Sequence, residues 1–374
     1  MTNNSIKRAM GLLFTSLYAG TAQSAYELNL QQPETPIAQQ IYDLHTLILL
    51  VCVFIFCVVF GVMFYAIFKH RKSLGHQAAQ FHENTTIEII WTIIPFFILV
   101  GMAYPATKTV LAMKNTSNPD MTIKVTGCQW KWKYDYLDEG VSFFSMLATT
   151  QDQIYGRAPR DEHYLLEVDK PLVVPTGKRV RVLITADDVI HSWWVPAFGV
   201  KQDAIVGFIR DSWFEVEKPG IYRGQCAELC GKDHGFMPIV VEAKEPKDYE
   251  IWLAQQKQAQ AATAKVDVNK TFSLDELKAR GEKVFNTTCA ACHQVNGKGI
   301  PGTFPALDGS KIVNGPKADH LNIVMNGKSG TAMVAFSQQL SDIELASVIT
   351  YERNAWGNKT GDAIQPSEVK ALRK

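Results

Sequence analysis

Two long apolar stretches in the first third of the chain contrast with the mixed sequence that follows them. Residues 44–68 contain one ionisable side chain, His45, and 25 residues of helix at ~1.5 Å each suffice to cross a hydrocarbon core of ~30 Å. Residues 89–106 form a second stretch, which only Pro95 and Pro105 interrupt. The pattern predicts a hairpin of two membrane-spanning helices at about 44–68 and 88–110, with a buried helical hairpin as the alternative.

The charges beside the two spans predict how the hairpin is oriented. The loop between the spans begins with the basic run of residues 69–72, and the positive-inside rule places such a loop in the cytoplasm. Everything after Lys114 then lies on the outer face, and residues 26–115 form the membrane domain. Before it, Lys7 and Arg8 precede a short apolar stretch, which predicts a signal peptide over residues 1–25. An uncleaved amphipathic tail is the alternative.

From Met121 onward the apolar residues recur at every second position, as a half-buried β-strand requires. Trp130, Trp132, Tyr134 and Tyr136 alternate with charged residues in this way. Further short strands, separated by turn residues, are predicted at residues 164–168, 172–174, 180–184, 213–216 and 239–242. Regularly spaced short strands predict an all-β sandwich or barrel over residues 116–245.

The composition changes again in the last third of the chain. Residues 246–270 are rich in Ala, Gln and Lys, which predicts a helical or flexible linker. A compact helical unit is predicted over residues 271–360, followed by a tail over residues 361–374. Ser341 precedes a run of apolar residues at helical spacing, so a capped final helix is expected there.

Charge and cysteine usage narrow the classes of function. The net charge is +1 and charged residues make up 20% of the chain, which gives no bias towards nucleic acid. The seven cysteines include two closely spaced pairs, and an odd number of this kind does not resemble a disulfide framework. Cys52 and Cys57 lie within the first apolar stretch, and we predict them to be small buried hydrophobic residues.

A cluster of sulfur and nitrogen ligands lies at the end of the predicted β-domain. Two thiolates, two imidazoles and a thioether form a soft ligand set that suits copper. Zinc would also accept two Cys and two His, but it would have little use for the methionine. Two thiolates can each bridge two copper ions, which leaves one imidazole for each metal and weak axial ligands. The predicted ligands are His191, Cys226, Cys230, His234, Met237 and the backbone carbonyl of Glu228.

The helical unit contains the sequence Cys289-Ala-Ala-Cys292-His293, which is the attachment motif of c-type haem. Both thiols would add to the haem vinyl groups and His293 would bind the iron; a redox-active dithiol is the alternative. Met333, on a glycine-bearing loop before the final helix, is the predicted sixth ligand. The other candidates are Met325, expected in the core, and His320, expected at the surface.

From about residue 40 to residue 245 the chain resembles subunit II of the haem–copper cytochrome c oxidases. The resemblance rests on the motifs at residues 88–95, 129–132, 191–193 and 226–237. It implies that the copper ligands form the dinuclear centre CuA in a cupredoxin-like barrel. It also implies that the side chain of Glu228 faces a magnesium ion shared with subunit I. Electrons would enter at Trp130, and Glu88 would lie at the mouth of a proton channel.

The last unit resembles a class I cytochrome c, so the resemblances imply three parts: a transmembrane helical hairpin, a cupredoxin-like barrel and an all-α cytochrome c domain. The implied protein is subunit II of a proton-translocating cytochrome c oxidase in a bacterial inner membrane, with both soluble domains in the periplasm. A soluble cytochrome c or similar donor would supply electrons. Haem c and CuA would pass them to the haem and CuB of subunit I, and subunit III is a further expected partner.

Three positions depart from the family pattern: Lys131 replaces a tyrosine, Cys128 a histidine and Phe208 an arginine. These changes concern the docking surface and the interface with subunit I. The related subunit of quinol oxidases lacks the copper ligands, so the intact set argues against that function. A membrane-tethered copper carrier or store with an accessory haem domain is the main alternative. Nitrous oxide reduction would need a separate histidine-rich site, and the chain has only nine histidines.

Overall fold

The computed structural model describes residues 29–75, 77, 80, 82–264, 270–329, 331, 333–337 and 339–373. The signal peptide predicted at residues 1–25 lies outside the described residues. The chain forms two compact units, Met1–Ile251 and Trp252–Lys374.

Two long helices open the first unit, α1 at Pro36–Lys69 and α2 at Thr85–Met113. Both are long and apolar enough to cross a membrane, and they contain the two predicted spans. Pro95 and Pro105 lie inside α2 without ending it. A proline removes one backbone hydrogen bond, a loss that membrane helices tolerate where neighbouring groups satisfy the freed carbonyl.

The prediction that Cys52 and Cys57 are buried was wrong, because both side chains are exposed on α1. The apolar side chains along the same helix are exposed as well. An apolar helix surface of this kind is stable against lipid or another membrane helix, so the hydrophobic pattern reflected the membrane and not a protein core.

The start of α1 is fastened to the β-domain that follows. The hydroxyl of Thr35 donates to the carbonyl of Phe198 at 2.8 Å and accepts the N–H of Ala38 at 3.1 Å. Gly199, with a φ of +67°, lies so close to α1 that a Cβ there would meet the Ile41 side chain at 2.9 Å. The helix therefore packs directly on this turn.

The end of α2 is fastened to the same domain by two side chains. The indole of Trp213 donates to the carbonyl of Ala112 at 3.1 Å, and Arg179 donates to the carbonyl of Asn115 at 2.5 Å. These bonds satisfy carbonyls at the end of the helix, where a positive charge is also favourable. Both membrane helices are thus joined to the β-domain by specific contacts as well as by the chain.

The β-domain is a sandwich of two five-stranded sheets, with orders β3-β2-β1-β5-β8 and β4-β10-β9-β6-β7. Strands β1 and β5 are parallel, as are β4 and β10, and the other pairs are antiparallel. The strands are β1 Met121–Cys128, β2 Lys131–Tyr136, β3 Val141–Ser145, β4 Leu172–Pro175, β5 Arg179–Ala186, β6 His191–Val195, β7 Val200–Ala204, β8 Arg210–Glu215, β9 Gly220–Cys226 and β10 Pro238–Lys244. A short helix, α3 at Gln151–Ile154, lies between β3 and β4.

Alternating residues of the two sheets form the core, including the fully buried Trp132, Tyr134, Trp193 and Phe214. The alternation predicted in β2 is therefore confirmed. The strand predicted at residues 164–168 was wrong: this segment forms turns and a single bridge from Val168 to Leu147. The apolar residues of this segment alternate as in a strand, but among the described residues no neighbouring strand pairs with its backbone beyond that single bridge.

Helix α4, Pro246–Ala264, covers most of the predicted linker and runs across the boundary between the two units. The second unit then contains α5 Leu274–Val284, α6 Ala290–His293, α7 Lys317–Asn326, α8 Asp342–Asn354 and α9 Pro366–Leu372. Five residues in a π-helical turn, Phe285–Cys289, join α5 to α6.

Helices α5 and α8 cross in close contact, and a glycine permits it. A Cβ on Gly281 would lie 2.0 Å from the carbonyl oxygen of Ser347, so no larger residue fits at this crossing. Ser341 caps α8 in a reciprocal capping box with Glu344, as the sequence predicted. The crossing brings Phe285 into the core of the unit.

Candidate metal and haem sites

The predicted sulfur and nitrogen ligands come together at one end of the sandwich. Cys226 ends β9, Cys230, His234 and Met237 follow in the loop before β10, and His191 begins β6. The Sγ of Cys230 lies 3.8 Å from the Sγ of Cys226, 3.5 Å from the Nδ1 of His234 and 3.5 Å from the Sδ of Met237. Five side chains from two separate parts of the chain thus converge on one small volume.

The remaining predicted donors lie beside Cys226. The Nδ1 of His191 is 4.0 Å from the Cys226 sulfur, and the backbone oxygen of Glu228 is 3.4 Å from it. Among the described residues, His191, Cys226 and Cys230 form the one group of three or more His, Cys, Asp or Glu ligands whose donor atoms lie within 4.8 Å of one another.

These distances fit a metal centre that both thiolates share. Two sulfurs that bind the same metal at about 2.3 Å each must lie within about 4.6 Å of one another. The 3.8 Å between Cys226 and Cys230 meets that limit and is far too long for a disulfide. The soft donor set and the thioether of Met237 fit copper better than zinc.

The protonation of the two thiols supports the same conclusion. A hydrogen bond from Cys230 lowers the pKa of Cys226 to about 3, although burial opposes the change. The same pairing raises the pKa of Cys230. The two sulfurs thus favour sharing a single proton, and a metal bound between them would take the place of that proton.

Asp188 orients His191, and the sequence analysis missed it. Its carboxylate lies 2.9 Å from the Nε2 of His191 and also accepts the backbone N–H groups of Gln129 at 2.6 Å and Val189 at 2.7 Å. Burial lowers the pKa of His191, but Asp188 and Cys226 outweigh it and the pKa is raised. With Nε2 bound to Asp188, the nitrogen that faces the sulfurs is Nδ1.

Gly127 is a second residue that the sequence analysis missed. A Cβ at this position would lie 2.8 Å from Cδ2 and 2.9 Å from Cγ of His191, so the imidazole occupies the space that a side chain would fill. Gly127 and His191 are far apart in sequence, and no local pattern signals this contact. The edge of Trp132 completes the packing, with its ring centroid 5.9 Å from that of His191.

Two tryptophans hold the backbone of the ligand loop. The indole of Trp130 donates to the carbonyl of Cys230 at 3.2 Å, and the amide of Gln129 donates to the same oxygen at 2.9 Å. Trp132 donates to the carbonyl of Met237 at 3.3 Å. Trp132 is fully buried, whereas Trp130 is half-buried and reaches the surface beside the cluster.

The three residues that depart from the family pattern have different environments. Cys128 is buried beside Asp187, 3.8 Å from its carboxylate, and burial raises the pKa of its thiol to about 12. The amine of Lys131 lies over the ring of Phe144, 4.9 Å from its centroid. Phe208 is 65% exposed. None of the three changes a predicted copper ligand.

Glu88 lies in the first turn of α2, apart from the cluster of sulfur and nitrogen donors. Its carboxylate accepts the backbone N–H of Asn84 at 3.3 Å, and Asn84 in turn accepts the N–H of Ile87, so both side chains cap the helix. Glu88 is exposed. Its predicted role at a proton channel stays a prediction.

The haem motif lies around the short helix α6 of the second unit. The Nδ1 of His293 bonds to the carbonyl oxygen of Pro305 at 2.9 Å, which leaves Nε2 as the nitrogen that can bind iron. Cys289 packs against the apolar core, and neither it nor Cys292 is in a disulfide. Two partly buried thiols beside an oriented imidazole fit covalent attachment of haem c.

The three candidates for the sixth haem ligand differ in their surroundings. Met333 lies half-buried against the apolar core, and its carbonyl accepts the N–H of Lys328 at 2.8 Å. Met325 is 2% exposed in the core, as predicted. The prediction that His320 is a surface residue was wrong, because it is 2% exposed and bonds to Glu352 at 2.8 Å. His320 lies on α7 and its acidic partner Glu352 on α8, and their hydrogen bond compensates for the burial of the imidazole. The spacing of residues along the chain gave no sign of this pair.

Three known protein families match three separate parts of the chain. Residues 23–109 match the family "Cytochrome C oxidase subunit II, transmembrane domain", and residues 121–244 match "Cytochrome C oxidase subunit II, periplasmic domain". Residues 276–351 match "Cytochrome C oxidase, cbb3-type, subunit III". The helical hairpin, the β-domain and the haem-motif unit therefore each have a separate match.

Curated relatives agree with these matches. The chain is 36% identical to the probable cytochrome c oxidase subunit 2 of Rickettsia bellii over 250 residues, which are 67% of this chain and 91% of the relative. It is 38% identical to cytochrome c oxidase subunit 2 of Cereibacter sphaeroides over 269 residues, 66% of this chain and 88% of the relative. A solved periplasmic domain of subunit II from Bradyrhizobium japonicum is 43% identical, with a TM-score of 0.35, and covers 38% of this chain and 98% of that domain.

Proposed function

Because the chain belongs to the cytochrome c oxidase subunit 2 family, we propose that it accepts electrons at a haem c and a CuA centre and passes them to subunit I. Subunit I would hold the haem and CuB at which oxygen is reduced, coupled to proton translocation. The observation that carries the proposal is the cluster of five side-chain donors, with two cysteine sulfurs 3.8 Å apart.

The chain's contribution at CuA is to hold and shield the ligands. A dinuclear copper centre shares one electron between two metals, so little has to rearrange when it is reduced. His191, Cys226, Cys230 and Met237 are all less than 9% exposed, which keeps water away from the sulfurs. His234 and the carbonyl of Glu228 would complete the set.

At the haem, Cys289 and Cys292 would form the thioether bonds, and His293 and Met333 would bind the iron. A methionine and histidine pair raises the potential of haem c, which suits an electron relay towards copper. The bond between His293 and Pro305 fixes the ring orientation and the protonated nitrogen. A soluble cytochrome c or similar protein would be the donor.

Trp130 supports a route for electrons into CuA. Its half-buried ring is bonded directly to the carbonyl of the predicted ligand Cys230. A donor that touches the ring is therefore separated from the ligand backbone by one hydrogen bond. We assign Trp130 to this transfer.

Exposed apolar side chains next to the predicted ligands support docking on subunit I. Ile190, which precedes His191, is 46% exposed, and Leu229, which precedes Cys230, is 78% exposed. Exposed apolar residues grouped beside a functional loop indicate a contact with another protein. Glu228 is also exposed, which is consistent with the proposed magnesium ion shared with subunit I. Glu88 would serve the proton channel, and subunit III would complete the complex in a bacterial inner membrane.

A copper carrier is not favoured, because carriers exchange metal through accessible ligands and four of the predicted ligands are buried. Nitrous oxide reduction would need a second, histidine-rich cluster. Within the described parts of the chain, the only metal-ligand group found is the one at His191, Cys226 and Cys230.

The proposal is tested with a Cys230→Ser variant in the purified oxidase. The variant should lose the copper of this subunit and stop consuming oxygen, while haem c is still reduced by the donor. Cys128→Ser is the matched control: it also removes a buried thiol of the β-domain, but not one of the sulfurs at the cluster. If Cys230→Ser keeps its copper content and turnover, the proposal is wrong.

A further inference from the structure

A buried asparagine beyond the haem motif makes four hydrogen bonds. Asn358 is 2% exposed and lies four residues after the end of α8. Its amide nitrogen donates to the carbonyls of Leu307 at 3.0 Å and Glu352 at 2.8 Å. Its oxygen accepts the N–H of Gly309 at 2.9 Å and the side-chain amide of Asn314 at 2.7 Å. Both donors and both acceptor positions of the side chain are therefore used.

These bonds fix the segment that follows Pro305, whose carbonyl is bonded to His293. Asn358 holds Leu307 and Gly309, two and four residues after Pro305. The adjacent Gly357 donates its N–H to the carboxylate of Asp308 at 3.0 Å. Three successive residues, 307–309, are thus tied to the two-residue segment 357–358.

The other side of the same carbonyl is also fixed. Gly299 approaches so closely that a Cβ there would lie 2.6 Å from the oxygen of Pro305. The carbonyl of Gly297 accepts the N–H groups of Leu307 at 2.7 Å and Asp308 at 3.0 Å. The Pro305 carbonyl is thus held by the 297–299 segment on one side and by the bonds of Asn358 on the other. It can move relative to the His293 imidazole only if one of these two sets of contacts is lost.

We propose that Asn358 is a positioning residue for the haem: it holds the Pro305 carbonyl on the Nδ1 of His293 and thereby helps to set the haem potential. The proposal rests on the proposed function, since it requires that His293 binds haem iron. A hydrogen bond from Nδ1 makes the imidazole a stronger electron donor, which stabilises ferric over ferrous iron. Loss of Asn358 should weaken that bond and raise the midpoint potential.

The test compares redox titrations of haem c in the purified full-length chain with those of an Asn358→Ala variant. The matched control is Asn354→Ala, at the last residue of α8. Asn354 makes three hydrogen bonds, to Thr350, Gly361 and Asp362, compared with the four of Asn358. Its bonds do not reach residues 307–309. Asn358→Ala should raise the potential, and Asn354→Ala should leave it near the wild-type value although both variants lose stability.

An Asn358→Ser variant covers the case in which the alanine variant does not fold. Its short neutral side chain cannot make all four hydrogen bonds of Asn358, so the potential should again rise, and no new charge is placed near the haem. Equal potentials in wild type, both Asn358 variants and Asn354→Ala would overturn the positioning role while leaving the proposed function intact. Absence of covalently bound haem from the wild-type chain would overturn both.

Discussion

His191 is held at both nitrogens, one directed towards the cysteine sulfurs and the other bonded to Asp188. A metal-binding imidazole uses one ring nitrogen for the metal and the other for a hydrogen bond. The acceptor of that hydrogen bond therefore decides which nitrogen is left to bind the metal. Asp188 does this while its own carboxylate is fixed by two backbone N–H groups. The protein itself therefore fixes the orientation of the His191 imidazole.

Replacing Asp188 should weaken copper binding more than replacing its neighbour. We expect Asp188→Ala to lower copper affinity by about 10- to 100-fold, since His191 loses the acceptor that orients it. Competition with a chelator measures the change. Asp187→Ala is the control, because Asp187 contacts Cys128 and not the imidazole. Similar losses in both variants would show that general charge near the site, and not orientation of His191, is responsible.

Trp130 should act on the rate of electron transfer and not on copper binding. Trp130→Gln should slow reduction of CuA severalfold in stopped-flow measurements while copper content and the absorption spectrum stay the same. Trp213→Gln is a matched control, since Trp213 is also half-buried and donates to a backbone carbonyl, but at the end of α2. An unchanged rate in Trp130→Gln would remove the proposed route.

At the scale of elements, the turn at Gly199 shows how a membrane helix is fastened to a β-domain. The turn needs a glycine for two reasons, its φ of +67° and the approach of Ala38, whose Cα would lie 3.0 Å from a new Cβ. The first reason is a backbone preference and the second is a packing requirement. The two can be separated by comparison with another glycine.

Gly199→Ala should destabilise the first unit more than Gly177→Ala. Gly177 has a similar φ of +65° but nothing within 4 Å of a new Cβ, so its substitution costs the backbone strain alone, about 1–2 kcal/mol. Gly199→Ala should add about 1–3 kcal/mol of overpacking against α1. Thermal unfolding in detergent, followed by tryptophan fluorescence, gives the two Tm values. Equal Tm values would mean that α1 does not pack firmly on this turn.

The elements that the sequence predicted well are those with a local signal. The alternation in β2, the capping serine of α8 and the two apolar spans are each visible within a few turns of chain. The strand at residues 164–168 failed because alternation does not guarantee a pairing partner. The buried pair of His320 and Glu352 was missed because its two members lie on different helices.

The same contrast holds at the candidate site. Residue type and spacing predicted which donors would come together, because copper and haem require particular donors, and the structure brings the sulfur and nitrogen donors of the β-domain into one cluster. The residues that support those donors were not predicted, since Asp188, Gly127 and Asn358 act through contacts that are remote in sequence or carry no distinctive motif. Which nitrogen of His191 faces the sulfurs likewise depends on the folded structure.

At the scale of the whole molecule, one chain joins a membrane hairpin, a β-domain with a copper-ligand cluster and a helical unit with a haem motif. The relatives match about two thirds of the chain, and the helical unit matches a different oxidase family from the rest. The consequence proposed here is that the chain carries two redox centres, and that the haem donates to the copper of the same polypeptide.

The metal and haem content of the purified full-length chain tests this account most directly. Elemental analysis, haem assay after denaturation and electron paramagnetic resonance should show two coppers in a mixed-valence pair and one covalently bound haem per chain. The haem should remain attached after denaturation because Cys289 and Cys292 would bind it through thioether bonds. A single exchangeable copper, or haem that is released on denaturation, would contradict the account.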